Sequence, residues 1–174
     1  MATLLLTGPP GVGKTTVIRR VAELLKGRRL GGFYTAELRE AGERLGFRLF
    51  GFGGPEVVIA HVAFPKTYRV GKYAVDVAAL ENAAALLSPD LDVDLFLLDE
   101  IGKMECLAPR LVAAIQCLLD SGRPLVATVA AKGGGLISAV KGRDEVELWH
   151  VTRENRDALP DELRRRLEAS LAGA

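Results

Sequence analysis

Cysteine is almost missing from this chain of 174 residues: there are two, Cys106 and Cys117, and no CxxC pair. Both fall in what reads as one helix, where their separation corresponds to about 16 Å of rise. A disulfide needs Cα atoms within about 7 Å, so the two are expected to stay free. Histidine is equally scarce. His61 and His150 have no partners at ligand spacing, which argues against a structural zinc site and leaves both as structural residues. An excess of one charge is lacking too, since 23 Lys and Arg against 22 Asp and Glu leave +1. No overall field draws the chain to nucleic acid or to an acidic membrane. No apolar stretch approaches the ~20 residues that span a bilayer. The opening MATLLLTGPPGVGKTT lacks a basic leader and reads as a buried strand rather than a signal peptide. With free thiols, these absences make the cytoplasm the expected compartment. No internal repeat, low-complexity tract or linker breaks residues 1–174, which suit a single domain with one sizeable core.

What is present alternates between two kinds of segment. Short apolar runs at 3–7, 95–98, 125–129 and 146–151 read as strands, the first three apolar enough to be buried on both faces. Segments at 14–26, 76–87, 107–119, 136–141 and 160–171 carry apolar residues at helical spacing or recognisable helix ends. Among these are Asp76 as an N-cap, Pro160 in a first turn and Gly27 as a stop. Strands alternating with helices imply an α/β fold, a doubly wound and mostly parallel sheet. Residues 31–39 and 44–52 flank the turn Glu40-Ala41-Gly42 and read as an antiparallel hairpin. Residues 57–63 extend it, making 31–63 an addition to the main sheet, and 64–73 reads as loop. Arg164, Arg165 and Arg166 read as a solvated helix face.

The apolar run at 3–7 ends in Gly8-Pro9-Pro10-Gly11-Val12-Gly13-Lys14-Thr15-Thr16, which fits G-x-x-x-x-G-K-[ST] at every fixed position. The spacing has a physical reason. Glycines let successive amide N–H groups curl inward around phosphates. The helix that follows aims unpaired N–H groups and about half a positive charge at the same point. Lys14 is placed to reach the β- and γ-phosphates of a nucleotide, Thr15 to ligate Mg²⁺, and Thr16 to lie near the α-phosphate.

A second apolar run, 95–98, ends in Asp99-Glu100. A carboxylate there can hold Mg²⁺ through water, the role assigned to Asp99. Glu100 is expected to orient and polarise an attacking water. A water-activating glutamate beside the metal works against phosphoryl transfer to another acceptor, so the pair favours hydrolysis.

These segments, with Gly32–Glu37 (GFYTAE), VGKYAVDV at 70–77, DEIGKME at 99–105 and VTRENRDALP at 151–160, resemble the THEP-type, or cancer-related, nucleoside-triphosphatases over nearly the whole chain. The resemblance implies a RecA-like P-loop fold in which the acidic-pair strand flanks the phosphate-loop strand. It also implies Mg²⁺-dependent hydrolysis of several nucleotides, ATP and GTP among them, to diphosphate and phosphate. Residues 40–69 and those after Leu167 carry no shared motif.

Other residues admit two readings. Lys103 either touches the γ-phosphate or pairs with Glu105 or Glu100. Thr128 either senses the γ-phosphate or, the preferred reading, is a buried β-branched strand residue. Asn155, Arg156 and Asp157 either border the base, with Arg156 stacked on it, or cap the last helix. Base contact is preferred for Arg156. Lys141 and Arg143 read as surface charges, although a cation there could serve the transition state. The rival functions are a nucleotide or small-molecule kinase with its acceptor under the 31–63 hairpin, and a non-catalytic nucleotide switch or nucleic-acid-binding module. The sequence indicates no nucleic-acid or membrane partner and leaves the oligomeric state open.

Overall fold

Runs without polar alternation, such as Leu4, Leu5 and Leu6 or Leu95 through Leu98, bury every side chain almost completely. Only a sheet covered on both faces satisfies such strands. The computed structural model describes residues 3–65 and 67–172. Its strands are β1 (Thr3–Gly8), β2 (Leu30–Glu40), β3 (Glu43–Gly51), β4 (Glu56–His61), β5 (Arg69–Val70), β6 (Tyr73–Val75), β7 (Leu95–Ile101), β8 (Leu125–Ala130) and β9 (Val146–His150). Its α-helices are α1 (Lys14–Leu24), α2 (Val77–Ala83), α3 (Pro109–Asp120), α4 (Leu136–Lys141) and α5 (Leu159–Ala172). The strands form one sheet in the order β5-β6-β4-β3-β2-β7-β8-β1-β9.

Strands β2, β7, β8, β1 and β9 run parallel, and β3, β4, β6 and β5 continue the sheet antiparallel from β2. Leu4, Leu6, Leu97 and Val126 pack against Val17, Ile18 and Val21 of α1 and Leu163 of α5. On the opposite face Leu5, Phe96, Leu98 and Ala127 meet Leu80 of α2, Leu111 and Ile115 of α3 and Ile137 of α4. Each of the Leu, Val, Ile and Phe side chains contributes ~1.5–3 kcal/mol by leaving water. This is the doubly wound arrangement expected from the alternation of elements.

The acidic-pair strand does not flank the phosphate-loop strand, contrary to expectation. β8 lies between β7 and β1, and its Thr128 hydroxyl spans the gap to Asp99. The hairpin is also less separate than expected. Leu30 through Phe33 pair in parallel with β7 before the same strand turns antiparallel partner to β3. Its turn has Ala41 at φ 47° and Gly42 at φ 83°, the paired positive values of a tight hairpin. The 64–73 segment is not all loop: β5 and β6 form a second small hairpin around Gly71. Lys66 of that segment lies outside the described residues. The helix expected from residue 107 begins at Pro109, because a residue preceding proline is disfavoured as helix and Ala108 is extended. Asp76 caps α2 as expected, its Oδ1 accepting the Ala79 N–H at 3.2 Å.

Gly32 is where β2 comes closest to β7. Its φ is +91°, and a Cβ there would lie 2.1 Å from the Leu97 carbonyl oxygen. Gly32→Ala is expected to cost about 3 kcal/mol or more, from the clash and the left-handed backbone together. The denaturant midpoint checks this, and a loss under about 1 kcal/mol would show that the two strands separate freely.

Candidate active site

The C-terminal ends of β1, β7 and β8 meet at one edge of the sheet, where open α/β sheets place their ligands. β1 ends at Gly8, where a Cβ would stand 2.6 Å from the Val151 carbonyl oxygen. The loop then curls through Gly11 at φ 75° and Gly13 at φ 114°, left-handed conformations that glycine adopts without penalty. Pro9, Pro10 and Gly11 form its exposed crest, Val12 is buried beneath, and Thr16 is exposed. Lys14 opens α1 and is 8% exposed. Its Nζ donates to the Gly8 carbonyl at 3.2 Å and pairs with Glu100 Oε2 at 3.4 Å.

The two acids face the same edge because β7 departs from strict alternation there. Leu98 pairs with Ala127, but the next pairing is Ile101 with Val129. Two residues of β7 therefore oppose Thr128 alone, and a bulge of this kind re-aims side chains. Asp99, 1% exposed, accepts two hydroxyl hydrogen bonds: Thr15 Oγ1 at 2.7 Å and Thr128 Oγ1 at 2.6 Å. Burial pushes its carboxyl above the ordinary value. The two hydroxyls, the backbone of Thr35 and the charge of Lys14 pull it back. Burial also raises Glu100. Lys14 opposes the rise and Asp99 adds to it.

Thr15 and Asp99 thus bring two hard oxygen donors side by side. Among the described residues no group of three His, Cys, Asp or Glu side chains could hold a metal ion. That donor set fits a small divalent cation that keeps several waters and takes other ligands from phosphate.

The remaining candidates divide. Thr128 is fully buried in β8, as the preferred reading has it, and its hydroxyl is in addition engaged with Asp99 at 2.6 Å. Asn155 ties the β9–α5 connection, accepting from the Thr152 amide at 2.8 Å and donating to the His150 carbonyl at 2.8 Å. Arg156 lies against the phosphate loop, its Nη1 donating to the Val12 carbonyl at 3.1 Å. Lys141 is not a plain surface charge. Its Nζ donates to the carbonyls of Ala130 and Ala131 at 2.6 and 2.9 Å, and its charge pulls on the Glu100 carboxyl. Arg143 pairs with Asp120 and Glu145 at the surface. Lys103 is exposed, while Glu100 pairs with Lys14 and Glu105 turns inward. Arg164 pairs with Glu168 along α5, and Arg166 reaches Glu147 of β9. Both cysteines are free. The His61 Nδ1 accepts the Ala63 amide at 3.1 Å.

Sequence reasoning missed the burial of Glu105. This carboxyl is 5% exposed and is pushed up to about 8, first by burial, with Glu100 and Asp99 adding to the rise. An acid raised on folding keeps its proton longer in the native state. From its ordinary value up to about 8 the native state carries the extra proton, so stability falls as pH rises, by up to about 1.4 kcal/mol per pH unit. The melting temperature is expected to drop between pH 5 and 8. Glu105→Gln, which cannot ionise, is expected to flatten that slope in a pH series of thermal melts.

Residues 3–164 match the model of a family described as NTPase. A nucleoside-triphosphatase THEP1 of Thermotoga sp. (strain RQ2) is 38% identical over 162 residues, covering 92% of each chain. A cancer-related nucleoside-triphosphatase of Homo sapiens is 35% identical over 174 residues, covering 90% of this chain and 92% of that one. The crystal structure of THEP1 from the hyperthermophile Aquifex aeolicus superimposes with a TM-score of 0.81 at 30% identity, covering 95% of this chain and 99% of its own. No helix among the described residues is long and apolar enough to cross a membrane. Sequence and overall fold agree with these relatives over nearly the whole chain, and the chain belongs to this NTPase family.

Proposed function

We propose that this enzyme hydrolyses nucleoside triphosphates, ATP and GTP among them, to diphosphate and phosphate, with Mg²⁺ as cofactor and in the cytoplasm. The observation that carries the reading is the convergence on one sheet edge of Lys14 with Glu100, and of Thr15 with Asp99 and Thr128. The loop amides and the N-terminus of α1 bind the phosphates. Lys14 balances the negative charge that spreads over the transferred group. Thr15 and Asp99 are the residues that would hold Mg²⁺, which when bound polarises the phosphoryl oxygens. Thr128 keeps Asp99 turned toward Thr15. Glu100 takes the proton of the attacking water as its oxygen bonds to the γ-phosphorus and the bond to the diphosphate breaks. Arg156, seated on the loop beside Val12 and Gly13, offers the base a planar cation that does not choose among bases.

A turnover panel across γ-labelled nucleotides, with and without Mg²⁺, candidate small acceptors, RNA and DNA, tests this. Inorganic phosphate is expected as the only labelled product, at comparable rates for several bases. Label in an acceptor would overturn the reading in favour of a kinase. Tight nucleotide binding without product would mark a switch, and salt-sensitive RNA or DNA binding a nucleic-acid module.

A further inference from the structure

Glu105 is a buried carboxyl that the hydrolytic chemistry leaves without a task. It opens the 3-10 turn Glu105–Leu107 that follows β7. Its Oε2 accepts the Gly102 N–H at 3.2 Å, and the Gly102 carbonyl accepts the Cys106 N–H at 3.2 Å. A glutamate reaching back three residues to the amide that opens a turn is half of a capping box. Gly102 supplies a second observation. A Cβ built on it would lie 3.0 Å from Glu105 Oε2 and 3.1 Å from Glu100 Oε1. The two carboxyl groups therefore close on one bare Cα, and a Cβ there would make both give by a few tenths of an ångström.

We infer that Glu105 is a positioning residue: by holding the Gly102 amide it fixes the exit of β7 and keeps the Glu100 carboxylate turned toward Lys14. The inference rests on Glu100 being the group that takes the water's proton. The charges reaching Glu105 from Glu100 and Asp99 are of its own sign and oppose ionisation. The position therefore needs an acceptor oxygen rather than a negative charge. A cap that only stabilised its turn would matter to folding and not to turnover by the folded enzyme.

A double-mutant cycle separates the two roles. kcat and KM for Mg-ATP are measured for wild type, Glu105→Gln, Glu105→Leu, Glu100→Gln and the Glu100→Gln/Glu105→Leu pair. Each kcat is expressed per nucleotide-binding site counted by titration. Glu105→Leu is expected to lower kcat about 10- to 100-fold, the scale on which misplaced catalytic groups cost rate, with KM within about threefold. Glu105→Gln keeps an acceptor oxygen and is expected to retain at least about a third of wild-type kcat. In the Glu100→Gln background Glu105→Leu is expected to cost nothing further. Wild-type kcat per site in Glu105→Leu, an additive loss in the pair, or equal losses in Glu105→Gln and Glu105→Leu would each overturn the inference. If Glu105→Leu does not fold, Glu105→Ala replaces it, since it removes the acceptor oxygens without adding bulk. It is expected to show the same loss, and wild-type kcat in it would overturn the inference. Should Glu100→Gln itself turn over at the wild-type rate, the reading of Glu100 falls and the inference falls with it. A slow Glu100→Gln beside an unaffected Glu105→Leu leaves that reading intact and removes the inference alone.

Discussion

Glu100→Gln is expected to lower kcat by about 10²–10⁴-fold, the range that general-base catalysis supplies, while nucleotide binding survives. Gln preserves the length and planarity of the side chain but cannot take the proton of an attacking water. It also removes the negative partner of Lys14, whose Nζ stands 3.4 Å from Glu100 Oε2. With that partner neutral, the ammonium is freer to face phosphate oxygens, and one negative charge beside the triphosphate is gone. The dissociation constant for Mg-ATP is accordingly expected to stay level or tighten. Single-turnover rates and a binding titration on the same protein check both halves. Wild-type turnover would show that another group handles the water. Loss of binding would show that Glu100 shapes the loop rather than the reaction.

The curl of the loop at 8–16 was legible because backbone geometry of this kind needs glycine. Gly11 and Gly13 take the left-handed φ values by which the loop curls, and Gly8 sits where no side chain fits. The acids were legible for a different reason. An uninterrupted apolar run must be a buried strand, so polar residues at its end emerge at the edge of the sheet. Asp99 and Glu100 meet Thr15 and Lys14 there.

Strand order was not legible. The apolar strands 3–8, 95–101 and 125–130 look alike in sequence, and which one lies between the others is settled by helix packing across the whole sheet. That choice placed β8 beside β1 and gave Thr128 its place at Asp99. A threonine in a strand reads the same whether its methyl or its hydroxyl matters, so its role stayed hidden until the neighbour was known. β5 and β6 span two and three residues, too few for any periodicity to register. Glu105 and Lys141 show the same limit: sequence displays a charge but neither the burial of Glu105 nor the half-buried Lys141 amine on the Ala130 and Ala131 carbonyls. The spacing of Glu105 from Gly102 was a usable signal, since a glutamate three residues after the start of a turn commonly reaches back to cap it.

Lys14→Ala is expected to weaken Mg-nucleotide binding by about 10²–10³-fold, on the scale of removing one charged donor from a preorganised site. The ammonium sits at the N-terminus of α1, shielded from water, where a charge interaction is worth more than it is at the surface. The fold should survive the change. Lys14 lies at the mouth of the site rather than in the apolar clusters, and its partner Glu100 keeps a third of its side-chain surface, 33%, open to solvent. The orphaned carboxylate can therefore be hydrated or take a proton instead of staying buried and charged. Lys14→Arg is expected to rescue little, because a planar fork cannot occupy the compact position from which Nζ reaches the Gly8 carbonyl at 3.2 Å. A fluorescent-nucleotide titration beside a thermal melt separates loss of binding from loss of fold. Affinity within threefold of wild type in a folded Lys14→Ala protein would mean that the loop amides alone hold the phosphates. The ion pair with Glu100 would then be a resting contact of the free enzyme, without a part in capturing the substrate.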